Sequence, residues 1–109
     1  MSSPPPADAT LGGYQQVHGR PPAFGGSDGR AYSVSPLVNG DSDEAGRYGA
    51  ALLFVRWAAG GDRPDGHLET EYLAFGATPE EALTPLLAMT LAQVKSALDR
   101  CIATASAPP

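Results

Sequence analysis

Cysteine is nearly absent: Cys101 stands alone in 109 residues. A single thiol excludes an intrachain disulfide and any zinc site built on several thiolates. Basic side chains are also scarce, with seven Lys plus Arg against twelve Asp plus Glu and a formal charge of −5. Phosphate-bearing partners repel such a chain, and no basic cluster offsets the imbalance. Nucleic acid and anionic membranes are therefore disfavoured, and a basic protein partner is easier to accommodate. No apolar run approaches a bilayer span, because the best stretch, Tyr48–Ala59, is interrupted by Arg56. The start Met-Ser-Ser-Pro-Pro-Pro lacks the positive charge and apolar centre of a secretory signal, so a cytoplasmic location is expected. Catalytic motifs are missing too. There is no Gly-x-Ser-x-Gly elbow, and neither His18 nor His67 has a nucleophile at a diagnostic spacing. Gly25–Gly29 lacks the glycine spacing of a dinucleotide site and the Lys-Ser/Thr ending of a phosphate loop. No cofactor is expected, and the reading leans away from an enzyme.

What the chain does have is unevenly distributed. Residues 1–29 carry Pro4-Pro5-Pro6, Gly12-Gly13, Pro21-Pro22 and Gly25-Gly26, whereas most apolar side chains fall in 48–59 and 67–104. The expected organisation is a Pro/Gly-rich flexible arm over 1–29, one α+β domain over 30–104 and a tail over 105–109. Within the arm, Tyr14–His18 fits either a short strand or a turn of helix.

Three strands are expected. Arg30–Ser35 alternates, with Tyr32 and Val34 on one face, and Pro36 places it at a sheet edge or ends it. Tyr48–Trp57 sets Leu52 and Phe54 against Leu53, Val55 and Trp57, so both faces are apolar. That pattern marks a central strand with helices on one side and another cover on the other, either the arm or a second copy. His67–Phe75 alternates again, with Leu68, Thr70, Tyr72 and Ala74 opposite His67, Glu69 and Glu71. The pattern then becomes helical at Gly76-Ala-Thr-Pro-Glu-Glu-Ala82, where Thr78 suits the N-cap, Pro79 the first helical position and Glu81 the capping box. Pro85 and a second capping box, Thr90 with Gln93, divide the C-terminal stretch into helices near 79–88 and 91–104. The expected fold is a three-stranded antiparallel meander followed by two helices, β-β-β-α-α, packed on one face.

Two constellations stand out as sites. Leu53, Val55 and Trp57 form a candidate association surface, because the helices of so small a chain cover one sheet face only. Tyr32, Phe54, Tyr72 and Phe75 are read as core or contact residues rather than a base-stacking platform. His67, Glu69 and Glu71 form an alternative small-ligand or divalent-metal face, although side chains roughly 6.5–7 Å apart along a strand converge poorly. Asn39, Asp41 and Asp43 begin like a calcium loop, but Glu44 and Ala50 occupy the positions of its glycine and bidentate glutamate. They are read as an ordinary acidic loop. Cys101 falls on an apolar helix face and is read as a small hydrophobe.

The junction Gly76-Ala-Thr-Pro-Glu-Glu-Ala-Leu83 resembles the strand-to-helix turn of HicB-like antitoxins, with their partial dsRBD-like fold. Gly76, Thr78, Glu81 and Ala82 carry the match. Glu71-Tyr-Leu-Ala74 lacks the Pro-Gly element frequent in that family, Pro85 and Thr90 interrupt the helix, and no separate DNA-binding tail is present. The resemblance implies a small partner-binding module that tends to oligomerise, and it assigns no functional residue. Together these readings give a non-catalytic interaction module, homodimeric or bound to a basic protein.

Overall fold

A computed structural model describes residues 6–106. The chain is α+β, with helices α1 (Leu11–His18), α2 (Pro79–Leu87) and α3 (Leu91–Ser106) and strands β1 (Ala23–Gly25), β2 (Ala31–Val38), β3 (Tyr48–Trp57), β4 (Pro64–Glu69) and β5 (Ala74–Gly76). The strands form one antiparallel sheet in the order β1-β2-β3-β4, with β5 also paired to β3. An N-terminal helix and strand thus precede the expected elements, and the expected last strand is divided.

Alternation within the strands decides which side is covered. Tyr32 and Val34 of β2 and Ala50, Leu52 and Phe54 of β3 are buried in one cluster with Leu11, Ala82, Leu86, Val94, Leu98 and Ile102. Side chains from all three helices meet the same sheet face there, which is the face that Leu52 and Phe54 were expected to share with the helices. Pro36 interrupts nothing: β2 continues to Val38, and β1 pairs only with Ala31–Ser33. Among the described residues Pro36 therefore lies where β2 has no outer neighbour, and its missing N–H costs no ladder bond on that side.

The helix starts follow their capping residues. Thr78 Oγ1 accepts from the Glu81 N–H at 3.1 Å, and Glu81 Oε2 accepts from the Ala77 N–H at 3.1 Å. At α3 the box is fully reciprocal, Thr90 N–H donating to Gln93 Oε1 at 2.9 Å and Gln93 N–H to Thr90 Oγ1 at 3.1 Å. Gly76 has a steric reason. A Cβ there would stand 2.5 Å from the Ala82 nitrogen and 2.7 Å from the Glu81 carbonyl carbon, backbone atoms that cannot swing aside.

Residues 6–29, read from the sequence as part of a flexible arm, carry α1 and β1. Thr10 caps α1, its hydroxyl accepting from Gly13 N–H at 3.1 Å, and Leu11 is fully buried in the core. Thr10 also pairs with Thr90 as an isolated antiparallel bridge, with Leu11 N–H donating to Met89 at 2.9 Å and Leu91 N–H to Ala9 at 3.0 Å. The glycines and prolines of this stretch concealed a fully buried apolar anchor, Leu11, and a second core contact at Phe24. Residues 1–5 of the expected arm and 107–109 of the expected tail lie outside the described residues.

Replacing that anchor measures its contribution. Leu11→Ala is expected to lower unfolding stability by about 2–4 kcal/mol, as for other buried Leu→Ala changes, read from urea denaturation. A change below about 0.5 kcal/mol, the size typical of surface substitutions, would show that α1 adds little to the core.

Candidate functional site

The sheet face opposite the helices carries the candidate surface. Its β3 row is Gly49, Ala51, Leu53, Val55 and Trp57, set beside Ser33, Ser35 and Leu37 of β2 and His67 and Glu69 of β4. Leu53, Val55 and Trp57 are half-buried by their strand neighbours, and the helices' buried side chains all belong to the opposite cluster. Trp57 is held in place by its indole N–H, which donates to Ser33 Oγ at 3.0 Å. Among the described residues the N-terminal segment lies elsewhere: β1 extends the sheet edge and α1 packs on α2.

One end of the face is aromatic, and an irregularity builds it. Thr70 N–H bonds to Leu52 and Ala74 pairs with Ala50, so residues 71–73 oppose Ala51 alone. This bulge breaks the alternation expected through His67–Phe75. Tyr72 does not join Leu68 on the core side but lies over Gly49, where a Cβ would stand 2.8 Å from its ring. Phe75 meets Tyr72 edge-on at 5.8 Å between centroids, and the Arg47 guanidinium lies 4.6 Å from the Phe75 centroid. Both rings remain about half exposed, Tyr72 at 48% and Phe75 at 47%. An aromatic pair at the rim of a large apolar sheet face is the composition of contact surfaces.

The same bulge separates the other constellation. His67 and Glu69 stay on β4 opposite Val55 and Leu53, whereas Glu71 leaves the strand. Among the described residues no group of three His, Cys, Asp or Glu side chains is placed to hold a metal ion. In the loop after β2, the oxygens of the calcium-like spacing serve the backbone. Asp43 Oδ1 accepts from the Ala45 and Arg47 N–H groups at 2.9 Å each, and Asn39 Oδ1 accepts from Gly49 N–H at 2.7 Å.

A second irregularity, between Arg56 and Trp57, leaves Asp65 unpaired in the β3–β4 register. Asp65 there bonds both Arg56, whose Nε lies at 2.9 Å, and Arg30. These two guanidiniums, Arg56 first, hold its carboxyl below the usual carboxylate range. The sequence signal for this cluster was only the turn Gly60–Gly66; its partners come from three strand ends. Cys101 sits half-buried at the edge of the core, and its Sγ donates a weak bond to the Glu69 carbonyl at 3.7 Å. Burial pushes the thiol up, partly offset by Arg100, which suits the expected hydrophobic role better than nucleophilic chemistry.

No family model, curated protein or solved structure matches this chain. Among the described residues no helix is long and apolar enough to cross a membrane.

The Asp65 cluster has a defined pH signature. A carboxyl whose folded pKa is depressed stabilises the fold above its unfolded value and loses that contribution as pH falls through the folded value. Wild-type protein is therefore expected to exceed Asp65→Asn in urea midpoint at pH 7, with the gap closing as the pH drops below about 4. A gap of constant size across that range would mean that the Asp65 charge contributes nothing.

Proposed function

We propose that the protein is a non-catalytic association module that forms a homodimer by packing two copies of the uncovered sheet face together. The observation that carries this reading is the row Leu53, Val55 and Trp57, apolar and on the side away from every helix side chain of the core. Scattered single apolar residues on a surface need no explanation, but a contiguous row on one sheet face does. Ser33 and Ser35 flank the apolar row on the β2 side, and the carboxylate beside it is Glu69, opposite Leu53 on β4, so a two-fold axis placed toward β2 keeps the two copies' Glu69 side chains apart. Sheet-on-sheet packing at about −30° would interdigitate the two rows, and a two-fold axis makes each row its own complement. The resemblance of Gly76–Leu83 to HicB-like antitoxins supports the same class of function, since it implies an oligomerising partner-binding module. No observation of comparable weight favours the ligand or metal reading at His67, Glu69 and Glu71.

Light scattering behind size exclusion tests the proposal. Wild-type protein is expected to run as a dimer and Val55→Asp as a soluble monomer, because burying an unpaired carboxylate weakens association by more than about a hundredfold. Val17→Asp, on the exposed side of α1, serves as the control and is expected to remain dimeric. A wild-type monomer at about 100 μM, a concentration at which even a weak micromolar dimer is populated, would overturn the proposal. A dimer that survives Val55→Asp would overturn this interface.

A further inference from the structure

We propose that the outer edge of β4, with the groove between it and α3, binds an extended peptide that alternates apolar and basic side chains. This site adjoins the dimer face at Glu69, which flanks Leu53, but it does not rest on the dimer. β4 ends the strand order, so no strand among the described residues pairs with its outer side. Its backbone is aimed accordingly. Thr70 N–H turns inward to the Leu52 carbonyl at 3.0 Å. In an antiparallel pair the bonded positions alternate, so Leu68 also faces β3 while His67 and Glu69 direct their N–H and C=O groups outward. The Cys101 thiol, reaching the Glu69 carbonyl from α3, independently places that carbonyl on the outer side.

The groove beside this edge has a volume of about 460 Å³. Leu68 and Leu73 form its strand wall, and Ala97 and Cys101 its helix wall. A chain added to β4 would turn alternate side chains into this apolar space and the others toward the opposite sheet face. There they meet acid. Glu69 lies on that face, Glu71 borders the groove itself at the end of the strand, and neither carboxylate has an ion-pair partner among the described residues. Arg100 stands on the helix wall, so a basic residue fits the strand side and an apolar one the helix side. A second copy of this chain fits less well. It would bring its own Arg100 against this one, and its edge offers Glu69 rather than a base.

The test uses isotope-labelled protein and a blocked hexapeptide of alternating valine and lysine, followed by amide shifts in NMR. Saturable shifts are expected at His67, Glu69, Ala97 and Cys101, with a Kd on the order of 0.1–1 mM for so short a strand. Glu69→Lys, an exposed change, is expected to weaken binding about fivefold and to make the valine–glutamate peptide the better ligand. N-methylation of alternate peptide amides should abolish binding, since strand addition needs those donors. Absence of shifts up to about 1 mM peptide, or indifference to N-methylation, would overturn the proposal. So would shifts confined to Leu53, Val55 and Trp57. Concentration-dependent shifts at His67 and Glu69 without peptide would show β4 edges pairing with each other, and would also overturn it. Repeating the titration on Ser35→Asp, which charges the dimer face from the β2 side of β3, keeps the two proposals apart, because loss of the dimer there leaves the β4 edge intact.

Discussion

Burial on one side of β3 is the constraint on which the rest of the structure depends. Ala50, Leu52 and Phe54 are completely buried, and every helix contributes its apolar stripe to that same side. A chain this short has only enough helix for one layer, so covering one face of the sheet leaves the other bare. The position of Leu53, Val55 and Trp57 follows from that limit and from strand alternation. The uncovered row is therefore a structural remainder as well as a surface, and its apolar composition is what the proposed dimer would use.

The β3–β4–β5 side of the sheet is shaped by its two irregularities. One leaves Asp65 unpaired between two guanidiniums, which ties the starts of β2 and β4 to the end of β3. The other expels residues 71–73, carries Tyr72 across Gly49 and opens the space beside Cys101. Bulges bend a strand and re-aim its side chains, and here they do so at both ends of β4. The short β4 between them keeps a charged, interrupted edge, the form in which native sheets resist indiscriminate edge pairing. Selective pairing with a complementary strand remains compatible with it.

Local chemistry was legible wherever it was strong. The Thr78 and Thr90 caps, the division at Pro85 and the opposed rows of β3 could all be read from the sequence, because caps and alternation act within a few residues. The helices of the structure, Pro79–Leu87 and Leu91–Ser106, fall close to the expected spans. Two features were not legible. Leu11 is followed by two glycines, and the next aliphatic position on its helix, Val17, is exposed, so periodicity had little to register before the distant core supplied Leu11's partners. The bulge at 71–73 lies in a sequence that alternates well, and the register changes because Tyr72 gains the open surface of Gly49. That attraction is tertiary and leaves no local mark. Glu71 lost its place beside His67 and Glu69 for the same reason.

The bridge between Thr10 and Thr90 has a kinetic consequence. Each threonine is a helix N-cap, yet they come from opposite ends of the described chain. Closing so long a loop carries a large entropic cost and is compensated only once the sheet has brought the ends together. The pairing is thus a late event in folding, of the high-contact-order kind that slows a small domain. Once made, it joins α1 and the start of α3 into one cooperative unit, so opening α1 also exposes the Leu91 amide. Hydrogen exchange at these two distant helices should then report a single opening event, and the stretch Ala9–Leu11 is a poor place to cut the chain.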